Sequence, residues 1–289
     1  MSAGALAAGR LAPGLFVVLW SSGFIGAKYG LPYAGPATFL ALRFALVVTL
    51  LVLMALAARA PWPGLAQAGH LVVVGILVQA GYLAGVFTAI HFGMSAGIAS
   101  LIVGLQPLLT AFAAAMVLGD RIVARQWLGL ALGLVGLVLV VGYRSTLTGA
   151  TWGSVAMALL ALVSITAGTL YQKRFGGSFD LRTGAVVQFV AAFLVVLPFA
   201  WLVEGWQAEW TPQFLFALGW LVIVLSLGAI SLLALLIRRG EATKVASLFY
   251  LVPPVTALIA FLVFGERLPL VAFAGMALAV LGVALVVRG

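Results

Sequence analysis

Ten apolar stretches, each long enough to cross a hydrocarbon layer, follow one another with short breaks: 13–30, 37–57, 69–90, 95–118, 125–142, 151–173, 183–203, 213–237, 242–264 and 268–287. A membrane-spanning helix needs about 20 apolar residues, because the hydrocarbon core is about 30 Å thick. Closed strand barrels are the other spanning solution, but their strands alternate apolar and polar residues. Runs such as "LGLALGLVGLVLVV" do not alternate. The breaks carry turn and charge signals: Pro61-Trp62-Pro63, Gly119-Asp120-Arg121, Gly176-Gly177 and Gly265-Glu266-Arg267. Composition agrees, since 65% of the residues are hydrophobic and 7% charged, against roughly a quarter charged in soluble domains. Such a chain cannot cover itself with polar side chains, so its surface must face lipid. The expectation is an all-α membrane protein of ten transmembrane helices.

The net charge of +9 does not point to nucleic acid, because the charges lie singly between apolar runs. With no cysteine, disulfides and thiolate chemistry are excluded, and no metal or cofactor is expected. Arg10 precedes the first apolar run, but no clear small-residue cleavage site follows it, so the run reads as the first span. Basic residues set the orientation. With the N-terminus inside, the inner segments hold Arg10, Arg59, Arg121, Arg125, Lys173, Arg174, Arg182, Arg238, Arg239, Lys244 and Arg288. The outer side keeps only Lys28, Arg43, Arg144 and Arg267. Both termini are therefore expected in the cytoplasm.

One phrase occurs twice. "ASLIVGLQPLLTA" begins at Ala99 and "ASLFYLVPPVTAL" at Ala246, an offset of 147. Pro107 matches Pro254, and at an offset of 146 Asp120 matches Glu266, Gly129 matches Gly275 and Gly136 matches Gly282. The fourth and fifth segments thus correspond to the ninth and tenth, giving two five-helix repeats at 1–147 and 148–289. Five is odd, so the second copy enters the bilayer upside down. A direct sequence repeat becomes an inverted structural one, the architecture by which many transporters build one site with two gates.

"LWSSGFIGAKYGLPYAGPATFLALRF", the paired Gly-acid-Arg corners and the doubled proline helices resemble the EamA type of the drug/metabolite transporter superfamily. The resemblance covers nearly the whole chain, which is similar to ten-helix bacterial inner-membrane exporters of amino acids, aromatic ones included. It implies a transporter in the inner membrane with a small-molecule substrate. One departure stands out: Trp20 of the first segment has Ser164 at its approximate counterpart in the sixth.

Pro107 and Pro254 each remove an amide hydrogen and free a carbonyl one turn back. In lipid such a kink must face protein or a watery cavity. Its recurrence in both halves favours a pair of hinges over static kinks, with Pro253 stiffening the second. Polar groups at membrane depth are costly and face the bundle interior. Gln79 and Tyr82 share one helical face, and Gln79 aligns with Ser226. Gln106 adjoins the first proline, Ser100 and Ser247 are repeat partners, and Tyr250 continues the stripe from Ser247 to Pro254. Trp20, Ser21, Ser164, Thr169 and Tyr171 come from the first and sixth segments. These groups predict a neutral pocket of amide, hydroxyl and ring. The serines and threonines equally fit bonds to their own helix carbonyls.

Lys28 and Arg43 lie within a turn or two of the outer helix ends and are expected to snorkel to the interface or to bond the carbonyls that end the first helix. His91 is counted in the candidate lining, with interfacial packing near the end of the third segment as its expected role and gating as the alternative. All six acids fall in loops or at helix ends, so no buried carboxylate is expected to couple transport to protons. Asp120 and Glu266 read first as helix caps. The glycines of the fifth and tenth segments read as close helix contact, either a scaffold or a dimer seam, consistent with a monomer or weak dimer. An enzyme would need a nucleophile, a base or metal ligands at membrane depth, and none is arranged here. A passive channel would show charged rings or repeated filter segments. The reading is an alternating-access exporter of amino acids or related metabolites; the alternatives are a proton-coupled exporter of drugs or other metabolites, or a channel.

Overall fold

The protein is described from a computed structural model, over residues 3–118, 124–142, 151–175, 177, 179–229, 232, 248–266 and 269–287. Helices account for most of it: α1 (Ala3–Gly30), α2 (Pro36–Ala57), α3 (Leu65–His91), α4 in two pieces (Ala96–Gly104 and Gln106–Leu118), α5 (Ala124–Gly142), α6 (Trp152–Phe175), α7 (Leu181–Leu202) and α8 (Pro212–Ala229). A 3-10 turn, Phe249–Leu251, then runs into α9 (Val252–Phe264), and α10 (Leu270–Val287) follows. Among the described residues no strand forms; one isolated bridge pairs Ala34 with Ala208. Among the described residues five helices, α2, α3, α6, α7 and α8, are long and apolar enough to cross a membrane. The corner residues Asp120, Arg121 and Arg267 lie outside the described residues.

The surface is that of a protein in lipid. Leu202, Leu262 and Leu270 are exposed, as are Trp62, Trp152, Trp201 and Trp210 near helix ends, where indole rings favour the interface. The helices start and stop for local reasons. Pro36 and Pro212 occupy first-turn positions, where a missing amide costs nothing. Asp180 caps α7, and the hydrogen bond from the Arg182 side chain holds its carboxyl down at about 2. Gly265 ends α9 with φ 66°, the left-handed turn that glycine tolerates. The start of α2 is capped from afar: the Ala37 and Thr38 amides donate to Glu204 at 2.9 and 2.7 Å.

Two features were not visible in the hydropathy pattern. Within α3, residues Gly75–Gly81 widen into a π-helix, and within α8 residues Trp220–Ala229 do the same. An offset of 147 carries the first onto 222–228, inside the second. Such wide turns are rare and concentrate at functional sites. The expected break in the fourth segment is present: α4 is interrupted at Leu105 and restarts with Pro107 in its first turn.

Contacts fix relative directions. A Cβ added to Gly136 would lie 2.5 Å from the Gly275 carbonyl oxygen, and one on Gly282 would lie 2.5 Å from that of Gly129. Helices α5 and α10 therefore run antiparallel with their backbones touching, so these glycines face each other within one chain. Helices α2 and α7 are also antiparallel: Glu204 meets the start of α2, and Thr183 donates to the Pro61 carbonyl at 2.8 Å. A Cβ on Gly104 would lie 2.9 Å from the Pro253 ring, so the broken regions of α4 and α9 touch.

Candidate functional site

A cavity of ≈ 140 Å³ lies inside the bundle. Helix α1 supplies Trp20, Gly23 and Phe24, and α3 supplies Val78, Gln79, Tyr82, Leu83, Val86 and Phe87. Arg43 enters from α2, Ile165 from α6, Phe189 from α7 and Leu225 from α8. Both π-helical segments reach it, through Val78 and Gln79 on one side and Leu225 on the other. A widened turn adds a residue without a matching rotation, which re-aims the side chains that follow it. A second hollow, beside α4 and α5, is lined by Leu105, Leu108, Phe112, Trp127 and other apolar groups, with no polar side chain to orient a solute.

Arg43 is the group that the sequence reading misplaced. It is only 4% exposed, so it does not snorkel, and the expectation of a neutral pocket is corrected: a guanidinium lines it. Its position alone, two turns into α2, did not reveal that this face of the helix points inward. Arg43 Nη2 donates to Ser226 Oγ at 3.1 Å. Ser226 in turn donates to the Leu221 carbonyl, five residues back in the widened turn, at 3.0 Å. Ser226 is thus fixed as a support for Arg43.

Of the other sequence-derived candidates, Trp20, Gln79 and Tyr82 line the cavity. Ser21 is buried and donates to the Val252 carbonyl at 3.3 Å, tying α1 to the start of α9. Trp20 stands edge-on to Phe249 at 5.1 Å and beside Phe16 at 5.5 Å. Gln106 donates to Thr169 at 3.0 Å, tying the restart of α4 to α6. Ser100 bonds its own helix at the Gly97 carbonyl, 2.8 Å away. Ser164 is buried against Gly81. Tyr171 pairs with His70 Nδ1 at 2.9 Å, and Phe175 stacks on the His70 ring; this cluster joins α3 to α6 away from the cavity lining. His91 is exposed beside Phe92 and does not reach the cavity. Ser247 and the side chain of Tyr250 lie outside the described residues. Pro253 is buried, whereas Pro254 is exposed, so it is Pro253 that faces protein.

One end of the bundle is locked by charge. Lys28 Nζ pairs with Glu266, whose carboxylate also accepts from the Ala96 amide at 3.5 Å. Helices α1, α4 and α9 meet there. Lys28 was expected to snorkel and Glu266 to cap the helix that follows it; instead they hold each other, with the Glu266 side chain 11% exposed.

The EamA-like transporter family matches residues 11–142 and 152–288. A Salmonella typhimurium protein named "Probable amino-acid metabolite efflux pump" is 28% identical, over 95% of this chain and 93% of its own. The Escherichia coli inner membrane transporter YedA is 26% identical, over 94% and 88%. The "Probable terminal-alkyne amino-acid exporter" of Streptantibioticus cattleyicolor is 27% identical, over 95% and 91%. A solved crystal structure, 22% identical, covers 95% of this chain and 94% of its own with a TM-score of 0.63, a likeness of fold.

Proposed function

The chain belongs to the EamA-like transporter family, a family of transporters and not enzymes, and from that premise we propose that it exports amino acids or related small metabolites by alternating access. The observation that carries the reading is the cavity lined by helices of both halves, in a bundle where the interruption of α4 at Gly104 touches Pro253 at the start of α9. Residues 1–147 and 148–289 act as inverted five-helix repeats spanning the membrane ten times. Reciprocal glycine contacts support this: Gly129 and Gly275 are sequence counterparts, as are Gly136 and Gly282, yet each touches the other's counterpart. A two-fold axis in the membrane plane produces that exchange. Because this seam is closed within one chain, it also supports a monomer.

Trp20, Gln79, Tyr82 and Arg43 contact the substrate, and α4 and α9 move about their breaks. The Lys28–Glu266 pair, where α1, α4 and α9 meet, acts as a gate at one end of the bundle. The bias of basic residues supports an inner-membrane protein with both termini in the cytoplasm.

The test is counterflow in proteoliposomes. Trans-stimulated, saturable uptake of an amino acid is expected; flux that is neither saturable nor trans-stimulated would make it a channel. One observation favours a second reading, proton coupling: Glu266 is a carboxylate where α1, α4 and α9 meet, and its Oε2 is buried without a hydrogen-bond partner among the described residues. Uptake that follows an imposed proton gradient, and is lost in Glu266→Gln, selects that reading.

A further inference from the structure

We propose that Arg43 reads a carboxylate, and that the cavity takes monocarboxylates with apolar tails whether or not they carry an ammonium group. The inference rests on the transport reading for its setting and deepens it by naming the substrate class.

The first observation is an incomplete coordination. Arg43 is 4% exposed and sits in the cavity wall. Ser226 satisfies one N–H of Nη2, while Nε and Nη1 are buried with no hydrogen-bond partner among the described residues. A guanidinium keeps its proton in proteins and presents five donors. Burying that charge against a neutral hydroxyl alone is unfavourable, and charged groups at membrane depth pair or mark a substrate path. Among the described residues no acid lines the cavity. None of the described residues supplies the missing counter-charge, and a carboxylate on a solute matches it by charge and by hydrogen bonding.

The second observation is the rest of the wall. Val78, Val86, Phe87, Ile165, Phe189 and Leu225 offer only apolar surface, which suits an aliphatic or aromatic tail. An ammonium group would meet neutral acceptors alone, the Gln79 amide oxygen and the Tyr82 hydroxyl. A cation without a carboxylate would meet Arg43 as a like charge. Recognition is thus one-sided: the acid is read and the amine is tolerated. The Ser226 anchor in the widened turn of α8 makes Arg43 answerable to movement of the second half, so Ser226 is a positioning residue and Arg43 a binding one.

The experiment compares three forms of one skeleton on the purified full chain in detergent. L-leucine, L-leucinamide and 4-methylpentanoate are one set; L-phenylalanine, its amide and 3-phenylpropanoate are the other. Ligand-dependent rise of the unfolding midpoint gives affinity without transport. In at least one set, the free acid and its amine-less form are expected to bind within about threefold of each other, and the amide at least tenfold more weakly. Arg43→Gln should remove the preference for acid over amide, and Arg43→Lys should retain part of it. Amides binding as tightly as acids, or acids failing to bind in both sets, overturns the proposal, as does an unchanged preference in Arg43→Gln. If Arg43→Gln does not fold, Ser226→Ala takes its place: it should weaken acids severalfold and leave amides unchanged, and equal weakening of both counts against the site. Binding of this pattern without counterflow removes the export reading and keeps the carboxylate site. Counterflow of acids and amides alike does the reverse.

Discussion

The break in α4 and the break in α9 come from the same repeated phrase, yet they are braced by different chemistry. At α4 the brace is a side-chain amide, Gln106 donating to Thr169 of α6. At α9 it is a hydroxyl on a backbone carbonyl, Ser21 of α1 donating to Val252. Shifted by 147 residues, the first pair falls within one position of the second, so the braces occupy equivalent places. Around them the surroundings diverge. The α9 side is packed with rings, Phe16, Trp20 and Phe249 within 5.1–5.5 Å of one another, and its end is tethered by Glu266. Shifted by the same 147 residues, Phe16 and Phe249 fall on Val163 and Ile102, so the α4 side has aliphatic groups where those two rings stand. The lesson is that repetition conserves where a helix is interrupted, while the stiffness of each interruption is set by its neighbours. The α9 break should be the more rigid of the two.

The strongest way to break the comparison is to separate the two interruptions. Gly104→Leu places a branched side chain where even a Cβ comes within 2.9 Å of Pro253; a loss of about 3 kcal/mol in reversible micelle unfolding is expected, with transport abolished. Next is Glu266→Ala, which strands Lys28 and removes the acceptor of the Ala96 amide. The Lys28 side chain is 30% exposed, so the cost falls below that of a fully buried pair, about 2 kcal/mol, and a single cysteine introduced at Gln79 should label more readily with thiol reagents. Trp20→Ala removes the ring contacts on the α9 side only and should cost about 1.5 kcal/mol. A matching cost from Thr169→Ala on the α4 side would erase the proposed difference. The smallest effects come from the braces: Ser21→Ala and Gln106→Ala should each cost about 0.6 kcal/mol. Their signs carry the information. With a single cysteine at Gln79 in this cysteine-free chain, one substitution should raise labelling from one side of the membrane and the other from the opposite side. Shifts in the same direction would end the idea of two equivalent hinges.

Much of this architecture is legible in the amino-acid sequence. Apolar run length locates the helices because a bilayer imposes one length scale, and the prolines mark both interruptions because the missing amide acts locally. Gln79, Tyr82 and Trp20 stand out because polar or amphipathic groups in a lipid-spanning helix have few places to go. Arg43 escapes such a reading although a signal exists: a lone cation inside an apolar run with no acid within reach on its own helix. Distance from the helix end suggests snorkelling, and only the packing of α2 against α7 shows which way that face turns. Lys28 and Glu266 are 238 residues apart, and nothing in either segment announces the other. The widened turns leave no trace either, because π-helical bonding is a tertiary compromise without a residue code.

Those widened turns have a historical reading. A π turn records one residue inserted into an α-helix that the fold absorbed without unwinding. If the halves arose by duplication, finding the irregularity at the same offset in α3 and α8 dates the insertion before the doubling.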